Sequence, residues 1–578
     1  MKRRDFLQQS TLAGLGLHAF DSQERSTASG EIKDAVLALI QAERRIEPVL
    51  AQQILDPNHR QAGGFVSPAY GFAYPASTAG ELKNLGALYC HQRSRFYQQA
   101  DLAKRISLGL GFLEREQHED GTIDLPTTNF HSPPDTAFVV EDLVLLYRLI
   151  SRESSSPVSD WKPRLERFLR RAAQAIATGG VHTPNHRWVA CAALAGCYAL
   201  FKDPLYLRRI DAWLAEGIDC NEDGEYTELS NAVYNPVTNR ALILMAEALN
   251  RPELLEPVRR NLLMMLYCMH PDGEIVTDYS RRQDKLTRAR AGNYYLHYRV
   301  MSVKDRDGRM ATMADRIAAD AVRRPSEVSI AGELPELMLR PELQNEKAPR
   351  APLPEDYTRF FNKSGVMRIR RRELSATIVS KSSRFLSMRH GPTVLEAVRV
   401  AGAFFGKGQF LSPVIRNEGK SYVLRQELEA WYNQPLPAGA GIPEIDWDQM
   451  DHRTRERSHL CRMSTEIRLT EIDHGFEMTV TAKGTDRVPM VIEFWFRPGG
   501  QLTTATGGEL VTANGSTFLA TGTAEYVVGR SKISIGPGRA EHRWAQLRGA
   551  EAPIAEAVPL TIAGFTPFTH QLRIVATP

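Results

Sequence analysis

A recurrence constrains this chain more than any other feature. Five glycine-marked segments, "AGGFVSPAYGF", "EDGTIDLPTTNF", "TGGVHTPNHRW", "EDGEYTELSNAVY" and "PDGEIVTDYSRR", carry Gly64, Gly121, Gly180, Gly224 and Gly273 at steps of 57, 59, 44 and 49 residues. Between them apolar residues repeat with the helical period. Leu143, Leu146, Tyr147 and Ile150 share one face of "EDLVLLYRLI", as do Leu242, Met245, Ala246 and Leu249 of "TNRALILMAEALN". A step of that length fits a helix pair with its loops. Such pairs in series form a solenoid or a closed ring. The expectation is an (α/α) toroid of helix hairpins over residues 30–325, with its glycine-led loops gathered at one mouth.

The period then changes. Pro325 borders, and Pro335, Pro341, Pro349, Pro352 and Pro354 crowd, a stretch that reads as a linker, residues 326–357. Beyond it, "GVMRIRRRELSATIVS", "TEIRLTEIDHGFEMTVTAKG" and "MVIEFWFRPGG" alternate apolar and polar residues between turn signals. Residues 358–578 therefore read as an antiparallel β-sandwich.

The first 29 residues belong to neither half. "MKRRDFLQQSTLAGLGLHAF" sets Arg3-Arg4 before a short, weakly apolar stretch, the order of a twin-arginine export signal. Asp5, Gln8, Gln9 and His18 interrupt it, and a membrane span needs about 20 apolar residues. Periplasmic or secreted location is expected, without membrane insertion. The formal net charge of +4 over 578 residues is too small to indicate nucleic-acid binding, but it suits a pocket for anions. The six cysteines show no zinc-type spacing. No cofactor is expected, and nothing fixes the oligomeric state.

Chemistry-bearing residues fall in successive loops. "TPNHRW" offers Asn185, His186, Arg187 and Trp188 at a helix start; one repeat earlier stand Asn129 and His131. One repeat later come Tyr226, Glu228 and Tyr234, then Arg281 and Arg282. In the second half, Arg389-His390 precede Gly391-Pro392 in a turn expected to close over the mouth. Each group alone also suits a cap, a packed aromatic or a solvated face. Together they suit elimination from a uronate. Its C5 proton is weakly acidic, so amide, imidazole or guanidinium donors must neutralise the neighbouring carboxylate as charge builds. A tyrosine or histidine takes that proton, and another protonates the departing O4. Asn185 and His186 would serve the first need; Tyr234, His186 and His390 could share the second.

At these residues the chain resembles polysaccharide lyases of the heparinase II/III and alginate-lyase type, which join a helical toroid to a β-sandwich. Asn185-His186 is similar to that family's Asn-His pair, and Asp223-Gly224 through Glu228 to Tyr234 is similar to its following segment. His390 resembles its β-domain histidine, but the usual His-x-His pattern is absent, which leaves a structural divalent ion in question. The resemblance implies an anionic oligo- or polysaccharide substrate and an unsaturated uronate product. Lyases acting exolytically on the rhamnose-capped glucuronate of plant arabinogalactan are one subtype of that build. Two other classes stay open. A toroidal glycoside hydrolase would need two flanking carboxyls, drawn from Asp124, Asp135, Asp223 and Glu228. A non-catalytic glycan-binding protein would stack sugars on Trp188, Tyr226 and Tyr234.

Overall fold

The computed structural model describes residues 34–577 apart from 346, 438–445 and 514; the stretch read as an export signal lies outside the described residues. Among the described residues, no helix is long and apolar enough to cross a membrane.

Twelve α-helices among the described residues fill the first part of the chain. They are α1 (Asp34–Ala51), α2 (Pro75–Cys90), α3 (Ala100–Glu116), α4 (Pro133–Ile150), α5 (Ser156–Thr178) and α6 (Pro184–Phe201). After these come α7 (Pro204–Leu214), α8 (Tyr234–Leu249), α9 (Leu255–Met265), α10 (Tyr295–Asp305), α11 (Gly308–Arg323) and α12 (Leu334–Leu339). Helices α2, α4, α6, α8 and α10 pack side by side as an inner arc, and α3, α5, α7, α9 and α11 each return outside their inner partner. Helix α1 closes the arc. It packs on α2 at one side, and at the other Asp34 takes hydrogen bonds from Tyr295 (2.5 Å) and Arg299 (2.7 Å). The expected toroid is present.

Sequence dictates which helix goes where. Outer helix α5 has one apolar stripe, with Val158, Trp161, Leu165, Phe168, Leu169, Ala172 and Ile176 buried at helical spacing. Trp161 is fully buried, and its indole nitrogen donates to Ser107 (2.8 Å), so the ring costs no unpaired donor. Inner helix α6 is instead buried along the whole run from Trp188 to Ala195, because small residues let α4 and α8 approach from both sides. The loop glycines have a packing cause. Gly121 and Gly224 sit at φ +88° and +99°, and a Cβ on either would meet the carbonyl of Arg171 or Arg260 at 2.3 Å. Each lets its loop turn tightly against an outer helix.

The stretch read as a linker is partly helical. Leu334, Pro335, Leu337 and Leu339 of α12 are buried against the toroid, and Glu336, 1% exposed, faces Arg240 and Arg340. Local proline spacing does not reveal that these leucines find a core to enter.

The second half is one long sheet curled on itself. Its strands run in the spatial order Asp356–Phe361, Val366–Arg371, Leu374–Val379, Leu386–His390, Thr393–Gly402, Pro489–Phe496 and Val558–Phe565. The order continues through Ser516–Val528, Ser531–Gly536, Phe568–Thr577, Gly475–Gly484, Arg457–Ile472, Ser421–Asn433 and Ile415–Glu418. Pairing among the described residues is antiparallel except for two parallel bridges, Phe518 with Thr561 and Ala540 with Ala563. Met367, Ile369, Leu395 and Phe494 from one part share a core with Leu424, Phe476, Ile533 and Leu572 from the other. The sandwich thus arises by curling.

The two halves are bolted together. Tyr357 and the fully buried Arg368 both donate to the Tyr267 carbonyl at 3.0 Å, and Thr377 and Ser387 donate to Asp278 (3.0 and 2.6 Å). Glu274 accepts from Arg389 (3.0 Å) and Arg497 (2.9 Å).

Candidate active site

Helices α2, α4, α6, α8 and α10 each start just after one of the glycine-led loops, so their first turns face one mouth. Proline opens α2, α4 and α6, where its missing N–H is not needed. The unpaired N–H groups and dipoles of several first turns converge, and that favours anions.

A contiguous set of side chains lines this mouth. Asn185, 1% exposed, donates from its amide nitrogen to Glu228 Oε1 (2.7 Å). The other oxygen of Glu228 lies 3.3 Å from Arg282 Nε. The Arg282 guanidinium stands over the Tyr234 ring, 5.1 Å from its centroid, and Gln283 donates to the Tyr234 hydroxyl (2.8 Å). Its hydrogen bond with Tyr234 is the largest influence holding the Arg282 pKa above the usual value. On the other side His186 meets His182 edge-on at 4.8 Å and Phe138 at 6.1 Å. Burial, then His182, push the His186 pKa down to about 4, so the ring is neutral at physiological pH. Its Nδ1 and the Asn185 Oδ1 are buried with no hydrogen-bond partner within the described protein. Asp135, at the start of α4, lies close enough to His186 to act on it, and accepts from Asn129 (2.8 Å) and Ser132 (2.5 Å).

A second set of bonds fixes the loops that carry these groups. Buried Asp284 accepts from Ser230 (2.8 Å), Ser280 (3.0 Å) and the Ala232 N–H (3.0 Å). Tyr294 donates to the Asn231 carbonyl (2.5 Å). The loop bearing Glu228 and Tyr234 is thereby stapled to the one bearing Arg281 and Arg282. Beside them a polar cleft of about 590 Å³, counting its open side, runs between Arg281, Lys285, Ser364 and Lys381.

Several residues fall elsewhere than expected. Trp188 is fully buried with its indole on Asp219 (2.8 Å), and Arg187 is tied to Asp219 (3.1 Å) and Glu216 (3.0 Å). Tyr226 is 1% exposed and donates to Asn239 (2.9 Å). Neither aromatic offers a face to a sugar, since both are buried on polar partners that local sequence does not reveal. His131 stands on the rim, 60% exposed in its side chain, stacked on His118 at 3.9 Å and bonded to Asp120 (2.8 Å). The turn after His390 does not close the mouth. Its strand runs from Ser387, beside Asp278, to Arg389, beside Asp272 and Glu274, and so leads away from Arg281 and Arg282. His390 bonds Ser531 (3.0 Å), and Arg389 is spent on the clamp between the halves.

Comparison with protein-family models gives no match, and none is found among curated proteins. Solved structures do match. A Paenibacillus xanthan lyase superposes with TM-score 0.58 and 12% identity, covering 94% of this chain and 57% of that one. The Streptomyces coelicolor A3 chondroitin AC lyase, solved with chondroitin sulphate, gives TM-score 0.55 and 12% identity over 97% of this chain and 80% of that one. The fold is that of these lyases. This chain spans little more than half the length of the xanthan lyase. Within the lyase fold the mouth also holds groups that sequence reasoning did not single out: Gln283, His182, Phe138 and Asp284. All four are polar or aromatic residues of the same loops and helix starts, so loop position was their available signal. Among the described residues, no group of three or more His, Cys, Asp or Glu could hold a metal ion.

Proposed function

We propose that the protein is a polysaccharide lyase, cleaving the bond at O4 of a uronic acid by β-elimination and leaving an unsaturated uronate. One observation carries the reading: Tyr234 and Arg282 stand together at the mouth, joined through Glu228 to Asn185. A carboxylate such as Glu228 needs donors, so the Asn185 amide must turn its nitrogen toward it and is not free to neutralise a substrate. That task passes to Arg282, assisted by the helix starts. Tyr234, its own phenolic proton first released to solvent, takes the C5 proton; the C–H electron pair becomes the C4–C5 double bond, and the C4–O4 bond breaks with its electron pair on O4. The proton on Tyr234 then goes to the departing O4. Neutral His186 serves as a polar wall for the sugar.

The hydrolase alternative finds less support, since the carboxyls it needs are engaged. Asp124 holds His118 (2.8 Å), Asp135 holds Asn129, Asp223 accepts from the Ser364 N–H (2.9 Å) and Glu228 bridges Asn185 and Arg282. Rhamnose-capped glucuronate, removed exolytically, is our finer assignment of substrate. The test is incubation with arabinogalactan from gum arabic, alginate, xanthan and chondroitin sulphate, following ultraviolet absorbance of the unsaturated product. Reducing ends released without that absorbance would refute elimination.

A further inference from the structure

Strand Ser421–Asn433 and its partner Arg457–Ile472 form a ribbon whose far end departs from the ordinary surface of a sandwich. Ser421 pairs with Thr470 at one end, while Asn433 pairs with Arg457 at the other. Near that second end, exposed and half-buried groups collect on both faces. Arg457 covers the Trp431 ring at 3.8 Å, with Lys407 on the same ring at 5.5 Å. On the opposite face Tyr432, 60% exposed, meets Phe405 (42% exposed) at 5.5 Å and His459 at 6.3 Å. Both Arg457 and Lys407 are exposed. Exposed cations over the half-buried Trp431 ring, with exposed Tyr432 and Phe405 behind it, leave both charge and flat apolar area facing solvent.

The patch is continuous with the cleft beside Arg281. The loop carrying Phe405 and Lys407 runs on through Gln409, whose carbonyl accepts from Gln426 of the ribbon (3.0 Å), to Leu411, which lines the cleft. Ser412 then accepts from the Lys381 N–H (2.7 Å), at the cleft's cationic side. One loop thus joins the cleft, where Arg281, Lys285 and Lys381 stand with Asp278 and Glu551, to the ribbon end, where Lys407 and Arg457 cover Trp431.

We propose that the ribbon end is a second, non-catalytic binding surface for an acidic polysaccharide, holding the chain that extends out of the cleavage site. Sugar faces stack on Trp431 and Tyr432, and uronate carboxylates pair with Arg457 and Lys407. The occupant's identity as the lyase substrate rests on the function proposed above; binding itself does not. The experiment uses the full chain in native gels cast with polygalacturonate, alginate or chondroitin sulphate, with dextran as the neutral control. Wild type is slowed by an acidic polymer and not by dextran, and W431A/Y432A and R457S each lose that retardation by about tenfold in affinity. Steady-state elimination adds a separate reading: KM on polymer rises by a similar factor, while kcat and turnover of short oligosaccharides hold. Tyr432 and Arg457 are exposed and Trp431 is half-buried, and unchanged melting confirms that the variants fold. Retardation that persists in both variants, or a wild type slowed by no acidic polymer, overturns the inference. Retardation lost in the variants without any elimination by wild type would leave it standing and remove the lyase reading instead.

Discussion

Glu228 Oε1 lies 2.7 Å from the Asn185 amide nitrogen, across 43 residues of sequence, and fixes which way that amide faces. Its second oxygen holds Arg282 at 3.3 Å, so one buried carboxylate aligns two loops of the mouth. Glu228→Gln keeps an acceptor for Asn185 and removes the charge that steadies Arg282. Turnover should fall by about 10- to 100-fold with melting little changed, as expected for misplaced transition-state donors. Wild-type kcat in this variant would show that Arg282 needs no alignment.

Tyr234→Phe removes the hydroxyl that Gln283 and Arg282 address, while the ring still packs. A loss of about 10²–10⁴ in kcat is expected for a group that moves protons, with an unchanged melting temperature. His186→Ala should also lose turnover while remaining folded. Because His186 titrates near 4, it should add no inflection to the kcat/KM profile between pH 5 and 8. An inflection in that range that His186→Ala abolishes would count against a neutral wall.

Periodicity made the toroid legible, because an inner helix such as α6 and an outer one such as α5 differ in how much of their circumference is apolar. The loops were legible because Gly121 and Gly224 must adopt positive φ against a helix backbone. Clustering of Asn185, Glu228, Tyr234 and Arg282 followed from their shared place in the glycine-led loops and the helix starts after them. Direction and cover were not legible. Trp188 and His390 were misplaced because indole burial depends on Asp219, 31 residues away, and strand ends depend on how the sheet docks. Glu274 was invisible for the same reason, as its partner Arg497 is 223 residues distant.

That clamp makes a stability prediction. Burial alone would raise the Glu274 pKa, but hydrogen bonds from Arg497 and Arg389 outweigh it and hold it at about 2. Glu274→Gln leaves two largely buried guanidinium groups without their shared charge. Losing one partner of a buried ion pair typically costs about 3–5 kcal/mol, so thermal unfolding should shift clearly downward. The native ion pair should also weaken on acidification, since a carboxyl depressed from 4.5 to about 2 contributes stability above 4.5 that is lost as pH falls through that interval. A variant melting like wild type at pH 7 would mean the halves are held by the other bonds alone.

Glu225 supplies the opposite dependence. It is 2% exposed beneath the mouth loop, and burial raises its pKa to about 8, offset in part by Ser364 and Arg281 and reinforced by Asp223. The folded protein therefore keeps a proton on Glu225 at pH 7 that the unfolded chain, titrating near 4.5, has released. Where the native state binds more protons, stability falls as pH rises. This contribution is whole below pH 4.5 and declines across the interval to about 8. Glu225→Gln has a similar shape and cannot lose a proton. Its melting temperature relative to wild type should climb steadily from pH 5 to pH 8.5, approaching a gain of up to about 4 kcal/mol for a shift of this size. Taking the difference between the two proteins cancels the other titrating groups, His186 and Glu141 among them. A difference flat across this range would mean Glu225 is ionised in the fold, with Arg281 drawn in as its partner.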